Sequence, residues 1–197
     1  MKLSPELLSY NVVRSNILEI YEQAELVDWT EGKNWYSEAH SFAVSISKKY
    51  DIPLIVASGL IACLSPLKSW EYNKQLVKMY LEGVYKHTGT QIDKCHRIVK
   101  DGTYAGISGI LGGLKTRAFF NNIYLPNQTN HVCLDRHQAK IATGLYIETL
   151  TDYQYKTIAE SHRKLAKELS ITPQELQCIT WVKYRKIKIK HFRNKNI

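Results

Sequence analysis

Apolar and polar positions alternate along the 197 residues with a period near 3.6, and that rhythm predicts a protein built of helices. Leu8, Val12, Ile17, Ile20, Tyr21 and Ala24 form one stripe; with Ser4 as cap and Pro5 in the first turn it predicts a helix over residues 5–27. Trp29, Gly32, Asn34, Trp35 and Tyr36 then mark a loop before a second helix, from about Ser37 to Tyr50. Trp35 and Tyr36 suit either stacking on a base or a staple at the helix start. Asp51-Ile52-Pro53 opens a strongly apolar helix, Leu54 to Leu64, whose Ala57, Ser58, Gly59 and Ala62 let neighbours approach closely. It stops at Ser65-Pro66, and Ser69 caps a further helix from Trp70 to Tyr85.

After a connector from Gly83 to Gly89, Gln91 to Lys100 reads as a short helix. Gly106, Gly109, Gly112 and Gly113 are too close together for a helix interior, where each costs about 1 kcal/mol relative to alanine, and they predict a tight turn. Ala118, Phe119, Asn122 and Ile123 resume helical spacing. Lys115 therefore falls in the first turn of a helix whose free amides point back into the glycine turn, a geometry that binds phosphate. Val132-Cys133-Leu134 leads to Asp135-Arg136-His137, with Asp135 as N-cap of a helix reaching about Gly144. Tyr153 to Leu169 forms the next helix. Thr172-Pro173-Gln174-Glu175 opens the last, which carries Leu176, Ile179 and Trp181 to about Ile187. Strand signals are nearly absent, and Ile187-Lys188-Ile189-Lys190 reads as one short strand or a mobile tail that nucleic acid would order. The expected fold is all-α, with eight or nine helices in two lobes around a cleft. Residues 1–182 form a single domain in which the chain crosses between lobes, and 183–197 a basic tail.

Composition narrows the class. Hydrophobic residues are 44% and charged residues 23%, and no apolar run nears the ~18 residues of a membrane span. The amino end lacks the pattern of a secretion signal. Cys63, Cys95, Cys133 and Cys178 stand singly, which predicts reduced thiols in a cytoplasm and argues against a disulfide framework, a zinc site or an iron–sulfur cluster. The net charge of +9 suggests a polyanionic partner. It concentrates at Lys183, Arg185, Lys186, Lys188, Lys190, Arg193 and Lys195, with no acid among them, so binding to a phosphate backbone would be steeply salt-dependent.

The stretch from Gly106 to His137 resembles the helix-hairpin-helix superfamily of DNA base-excision glycosylases, in which a glycine hairpin and a lysine precede a short apolar run ending in an aspartate. Lys115 stands where that lysine does, and Val132 to Asp135 with His137 looks like the family's Val-Asp-x-His run, the lysine and acid being 20 residues apart. Ile52 to Asn73 resembles the buried helix and polar turn on the other wall of the family's cleft. With Leu-Ser-Pro-x-x-x-Trp at 64–70 and Trp181-Val182, the pattern is also similar to phage-encoded relatives. The family's hairpin usually reads Leu-Pro-Gly-x-Gly-x-Lys, whereas Ile110 to Lys115 is one residue out of register. A second alignment places Gly109 to Ile123 on an earlier helix and makes Lys115 structural.

The resemblance implies hydrolysis of the N-glycosidic bond of a flipped, damaged or modified base, with Asp135 and Lys115 as catalytic residues. A carboxylate stabilises the positive charge that develops on the sugar and deprotonates the attacking water; a lysine amine would instead form a Schiff base and add lyase activity. The residues expected to bind substrate or DNA are Ser65, Lys68, Trp70, Asn73, Gly112, Gly113, Arg117, Arg136 and His137, joined by Lys183 and Arg185 of the basic segment. No metal and no cofactor are implied. The expected partner is double-stranded DNA or a nucleotide, bound by a monomer, in a bacterial host's cytoplasm if the chain is phage-encoded. Two other readings stay open: a non-catalytic nucleic-acid or nucleotide binder acting as a regulator or counter-defence factor, and a base-hypermodification enzyme acting on a modified thymidine or a free nucleotide.

Overall fold

The computed structural model describes residues 4, 6–84, 89–126, 128 and 130–194, with side chains through residue 189. The expectations for Pro5, Tyr85 and the side chains of Lys190, Arg193 and Lys195 fall outside that range. The fold is all-α. Among the described residues a 3-10 turn, Glu6–Leu8, precedes ten α-helices and there is no strand. In chain order these are α1 (Tyr10–Glu22), α2 (Leu26–Tyr50), α3 (Leu54–Leu64), α4 (Trp70–Leu81), α5 (Gly89–Asp101), α6 (Tyr104–Leu111), α7 (Leu114–Tyr124), α8 (Arg136–Thr143), α9 (Asp152–Glu168) and α10 (Pro173–Asn194). The chain divides into two compact units, one formed by residues 1–35 and 130–197 and the other by 36–129, with α2 running through the boundary at Trp35.

The first unit is built around α1, whose Val13, Ile17 and Tyr21 are buried with Val132 and Leu134, Ile141 and Ala142 of α8, Ile158 and Leu165 of α9, and Leu176 and Ile179 of α10. The sequence predicts one helix over 5–27, but α1 ends at Glu22 because the chain recaps itself three residues later. Asp28 Oδ2 accepts the N–H of Glu25 at 3.0 Å and so opens α2. The loop expected at Trp29 to Tyr36 is instead continuous helix. Gly32 sits there because α10 crosses closely: a Cβ on it would lie 2.7 Å from the backbone N and Cα of Ile179. The expected mobile tail also proves helical, as α10 runs to Asn194. Its extension is held by Lys183, which pairs with Glu25 at 3.1 Å and Asp28 at 3.4 Å, and by Lys186, 2.8 Å from both Asp28 and Glu31.

The second unit surrounds α3, in which every residue from Val56 to Leu64 is buried. That helix packs against α4, α5, α6 and α7. Gly59 admits α5 and α6, since a Cβ there would lie 2.9 Å from Ile107 Cγ2 and 3.0 Å from Ile98 Cγ2. The glycine turn expected over 106–113 is only half a turn, because Gly106 and Gly109 lie inside α6. Two helical glycines cost about 2 kcal/mol relative to alanine. Ile107, Ile110 and Leu111 are buried, each returning roughly 1.5–3 kcal/mol, so burial wins. Thr103 caps the helix, its Oγ1 accepting from Gly106 N at 3.1 Å.

Candidate functional site

Asp135 begins as a local structural residue. Its backbone is extended and its Oδ1 accepts the N–H groups of His137 and Gln138, both at 2.9 Å, which satisfies two of the donors that the start of α8 leaves open. The second carboxylate oxygen is held from elsewhere: Trp181 Nε1 on α10 donates to Oδ2 at 3.0 Å. The apolar run before the acid is pinned as well. The Tyr155 hydroxyl on α9 donates to Val132 O at 2.7 Å and accepts from Leu134 N at 3.2 Å, while Arg163 Nε donates to Asn130 O at 2.9 Å. Burial pushes the Tyr155 phenol well above its ordinary range, so it stays a neutral donor at any working pH.

Around this carboxylate the charge is positive. Arg136 is exposed, and the Arg185 guanidinium lies over the Trp181 ring, 4.6 Å from its centroid. Trp35 meets Trp181 edge-on at 6.2 Å. The half-buried His137 ring lies 5.9 Å from Tyr184. Burial lowers its pKa, Asp135 opposes that, and Lys188, Arg136 and Arg185 push it down again, so His137 is neutral near pH 7. Of the residues expected to bind DNA, Arg136, His137 and Arg185 are thus brought together beside Asp135 and Trp181. Lys183 does not: it is turned toward α2 and held in the ion pairs with Glu25 and Asp28.

In the second unit the other expected residues form two groups. Leu111-Gly112-Gly113 makes a γ-turn, with Gly112 at φ 75°, ψ −87° and Gly113 N donating to Leu111 O at 3.1 Å. A side chain is strained at that φ, which explains one glycine. Gly113 is the N-cap of α7 and supplies no side-chain bond, and no acid stands in the first turn, which carries the exposed Lys115 and half-buried Arg117. The end of α7 is therefore a positive terminus open to an anion. Arg117 Nε is buried with no hydrogen-bond partner.

The second group is the turn from α3 to α4. Ser65 Oγ donates to Ala62 O at 2.9 Å and Ser69 Oγ accepts from Tyr72 N at 3.3 Å, so both finish helix ends. Trp70 stands edge-on to Phe42 at 5.7 Å, and Lys68 Nζ lies 5.5 Å from the Tyr72 ring centroid. Asn73 is buried; its amide donates to Ile61 O at 3.2 Å, and its Oδ1 has no hydrogen-bond partner. Between these lies Leu67, which the sequence reading passed over: its backbone is left-handed at φ 61° and its side chain is 87% exposed. A leucine held outward on strained backbone is unusual. The signal in the sequence was an apolar residue between Pro66 and Lys68, flanked by helix-end residues. Trp181 and Tyr155 were also missed as site residues.

A shallow cavity of about 500 Å³ between α5 and α6, lined by Arg97, Lys100 and Asp101 with Gly106, Gly109 and Ile110, adds little chemistry. Its cations complement the negative end of α5, and Asp101 Oδ1 is taken by Thr103 N at 3.0 Å and Thr103 Oγ1 at 2.5 Å. Among the described residues no group of three or more His, Cys, Asp or Glu could hold a metal ion, and no helix is long and apolar enough to cross a membrane.

The fold and these residues define an all-α protein with a hydrogen-bonded aspartate at a helix start, in a basic and aromatic setting. The chain belongs to a family of unknown function (DUF7178), whose model matches residues 3–188. No curated protein and no solved structure matches it.

Proposed function

We propose that the protein hydrolyses the N-glycosidic bond of a damaged or modified base extruded from double-stranded DNA, with Asp135 as its essential carboxylate. The observation that carries this reading is the fixing of that carboxylate by three N–H donors, two on Oδ1 and one on Oδ2. Carboxylate oxygens offer about four lone-pair sites, so one on Oδ2 is left for a reacting water. That water adds its oxygen to C1′ as the C1′–N bond breaks, and the bonding pair leaves with the base nitrogen. Asp135 takes the water's proton and the departing base is protonated in turn, giving an abasic sugar and a free base. The neutral His137 and the cations Arg136 and Arg185 favour DNA phosphates nearby.

Two features of the second unit, taken by itself, suit contact with DNA. The γ-turn at Gly112 and the uncapped start of α7 suit a backbone phosphate. Leu67, exposed on its turn, has the character of an apolar wedge of the kind that inserts at a base step. Lys115 in that first turn would add lyase activity if its amine attacks C1′, which borohydride trapping of a covalent protein–DNA adduct detects.

The test is incubation with duplexes carrying damaged or phage-type modified bases, followed by cleavage of abasic sites. Asp135→Asn keeps an acceptor for the α8 amides and so preserves the cap, yet should reduce base release by at least ~100-fold. Full activity in that variant would reject the assignment. A second reading has an observation of its own: capping by itself explains both bonds to Oδ1. In that case the protein grips nucleic acid without chemistry, and steeply salt-dependent binding with no product would identify it. Nucleoside analysis after incubation with free nucleotides or modified thymidine, rather than duplex, tests whether the same chemistry serves base hypermodification.

A further inference from the structure

We infer that Trp181 is a positioning residue for Asp135, aiming its reactive oxygen; this rests on the glycosylase reading above. An aspartate that only caps a helix commits one oxygen and leaves the other to solvent. Here the other oxygen is also committed, by an indole from α10, 46 residues away along the chain. The indole N–H is a donor and never an acceptor, so it cannot exchange roles with the carboxylate or carry its proton. On Oδ2 it occupies one lone-pair direction and leaves the other fixed in place.

The indole is itself braced. Trp35 meets it edge-on, and the Arg185 guanidinium covers its face. On the adjoining residue, Thr180 Oγ1 donates to Leu176 O at 2.8 Å and accepts from Gln138 Nε2 at 3.3 Å, which ties α10 to α8 at this point of the helix. The ring contacts and the bond to Oδ2 hold the N–H direction, as preorganised catalysis needs. A phenylalanine at 181 would keep most of that packing and remove only the donor.

Trp181→Phe in the full chain should therefore lower the turnover of base release by roughly 10- to 100-fold, the range that outer hydrogen bonds carry in metal sites, with little change in KM. His137 on α8 and Tyr155 on α9 act on the Asp135 carboxylate, and Arg136, Arg185 and Lys188 act on His137. All are retained in this variant, so a fall in turnover at unchanged KM reports the missing N–H. Trp35→Phe disturbs the brace without touching the donor and should lower stability while reducing turnover less than Trp181→Phe does.

A readout independent of turnover is the Trp181 indole ¹⁵N–¹H resonance, which should shift in Asp135→Asn. Wild-type turnover in Trp181→Phe would overturn the inference and leave the glycosylase reading intact. If instead the resonance shifts in Asp135→Asn but the wild-type protein releases no base from any duplex, the glycosylase reading fails and the catalytic consequence for Trp181 fails with it. A resonance indifferent to Asp135→Asn overturns the contact itself.

Discussion

Gly32 and Gly109 both sit inside helices, yet they answer to opposite constraints. A Cβ at Gly109 would meet no heavy atom within 4 Å, whereas one at Gly32 would meet Ile179 N, Cα and Cγ1, each at 2.7 Å. Alanine gains about 1 kcal/mol over glycine in a helix interior. At Gly109 nothing opposes that gain, so Gly109→Ala should raise stability by roughly 0.5–1 kcal/mol. At Gly32 the clash is with backbone, which cannot swing aside, and overpacking of this kind costs typically ~1–3 kcal/mol. Gly32→Ala should lower stability by ~1–2 kcal/mol, read from the urea midpoint at constant slope. Equal effects from the two substitutions would mean that α2 and α10 do not approach closely. Gly112 differs from both, because its φ of 75° rather than a neighbour excludes a side chain.

The extension of α10 depends on charges supplied by α2. Asp28 is buried, with 2% of its side chain exposed, and receives Lys183 and Lys186 as well as Glu25 N–H. Burial alone would raise its pKa, but Lys186, the Glu25 amide and Lys183 together hold it below the ordinary carboxylate range. A depressed carboxylate pKa stabilises the fold above the unfolded value near 3.9, and that contribution disappears as pH falls through the folded value. Asp28→Asn should thus cost roughly 1–3 kcal/mol at pH 7 and speed amide exchange over residues 183–189, with the difference from wild type closing in acid. Unchanged exchange would show that the helix needs no anchor. These pairs also explain what the sequence hid. Local signals placed most helices well: Ser69, Asp135 and Thr172 are caps as their residue types suggest, with Thr172 Oγ1 accepting from Glu175 N at 3.1 Å. Readings that failed depended on what folding brings up: Ile179 for Gly32, Asp28 and Glu31 for the basic segment, and the burial of Ile107 and Ile110 for the glycines beside them in α6. The candidate site divides the same way, since Asp135 was legible from its run and its cap, while Tyr155 and Trp181 reach it only through folding.

At the scale of the whole chain, two units with separate cores need not respond to acid alike. The first unit buries His162 completely, with Nδ1 3.0 Å from Ile158 O and Nε2 3.2 Å from Gln138 Oε1. Gln138 Nε2 in turn donates to Gln177 O at 2.6 Å, so this ring sits in a polar network shared by α8, α9 and α10. Two acceptors would favour a doubly protonated imidazolium, but desolvation outweighs the carbonyl and holds the pKa down at about 4. A depressed histidine pKa contributes stability that is complete above the unfolded value near 6.5 and declines as pH falls toward the folded one. Between pH 7 and pH 5 the loss from a shift of that size is about 2 kcal/mol. His131 and His137, also lowered mainly by burial, act in the same direction and in the same unit. Native-state hydrogen exchange at the two pH values, corrected for intrinsic rates, should therefore show protection falling on α8, α9 and α10 while α3 is spared this loss. His162→Gln should flatten the dependence in the first unit whatever it does to stability at pH 7. Equal acid sensitivity in α3 and α9, or an undiminished slope in that variant, would remove His162 as the cause and place the acid response elsewhere in the chain.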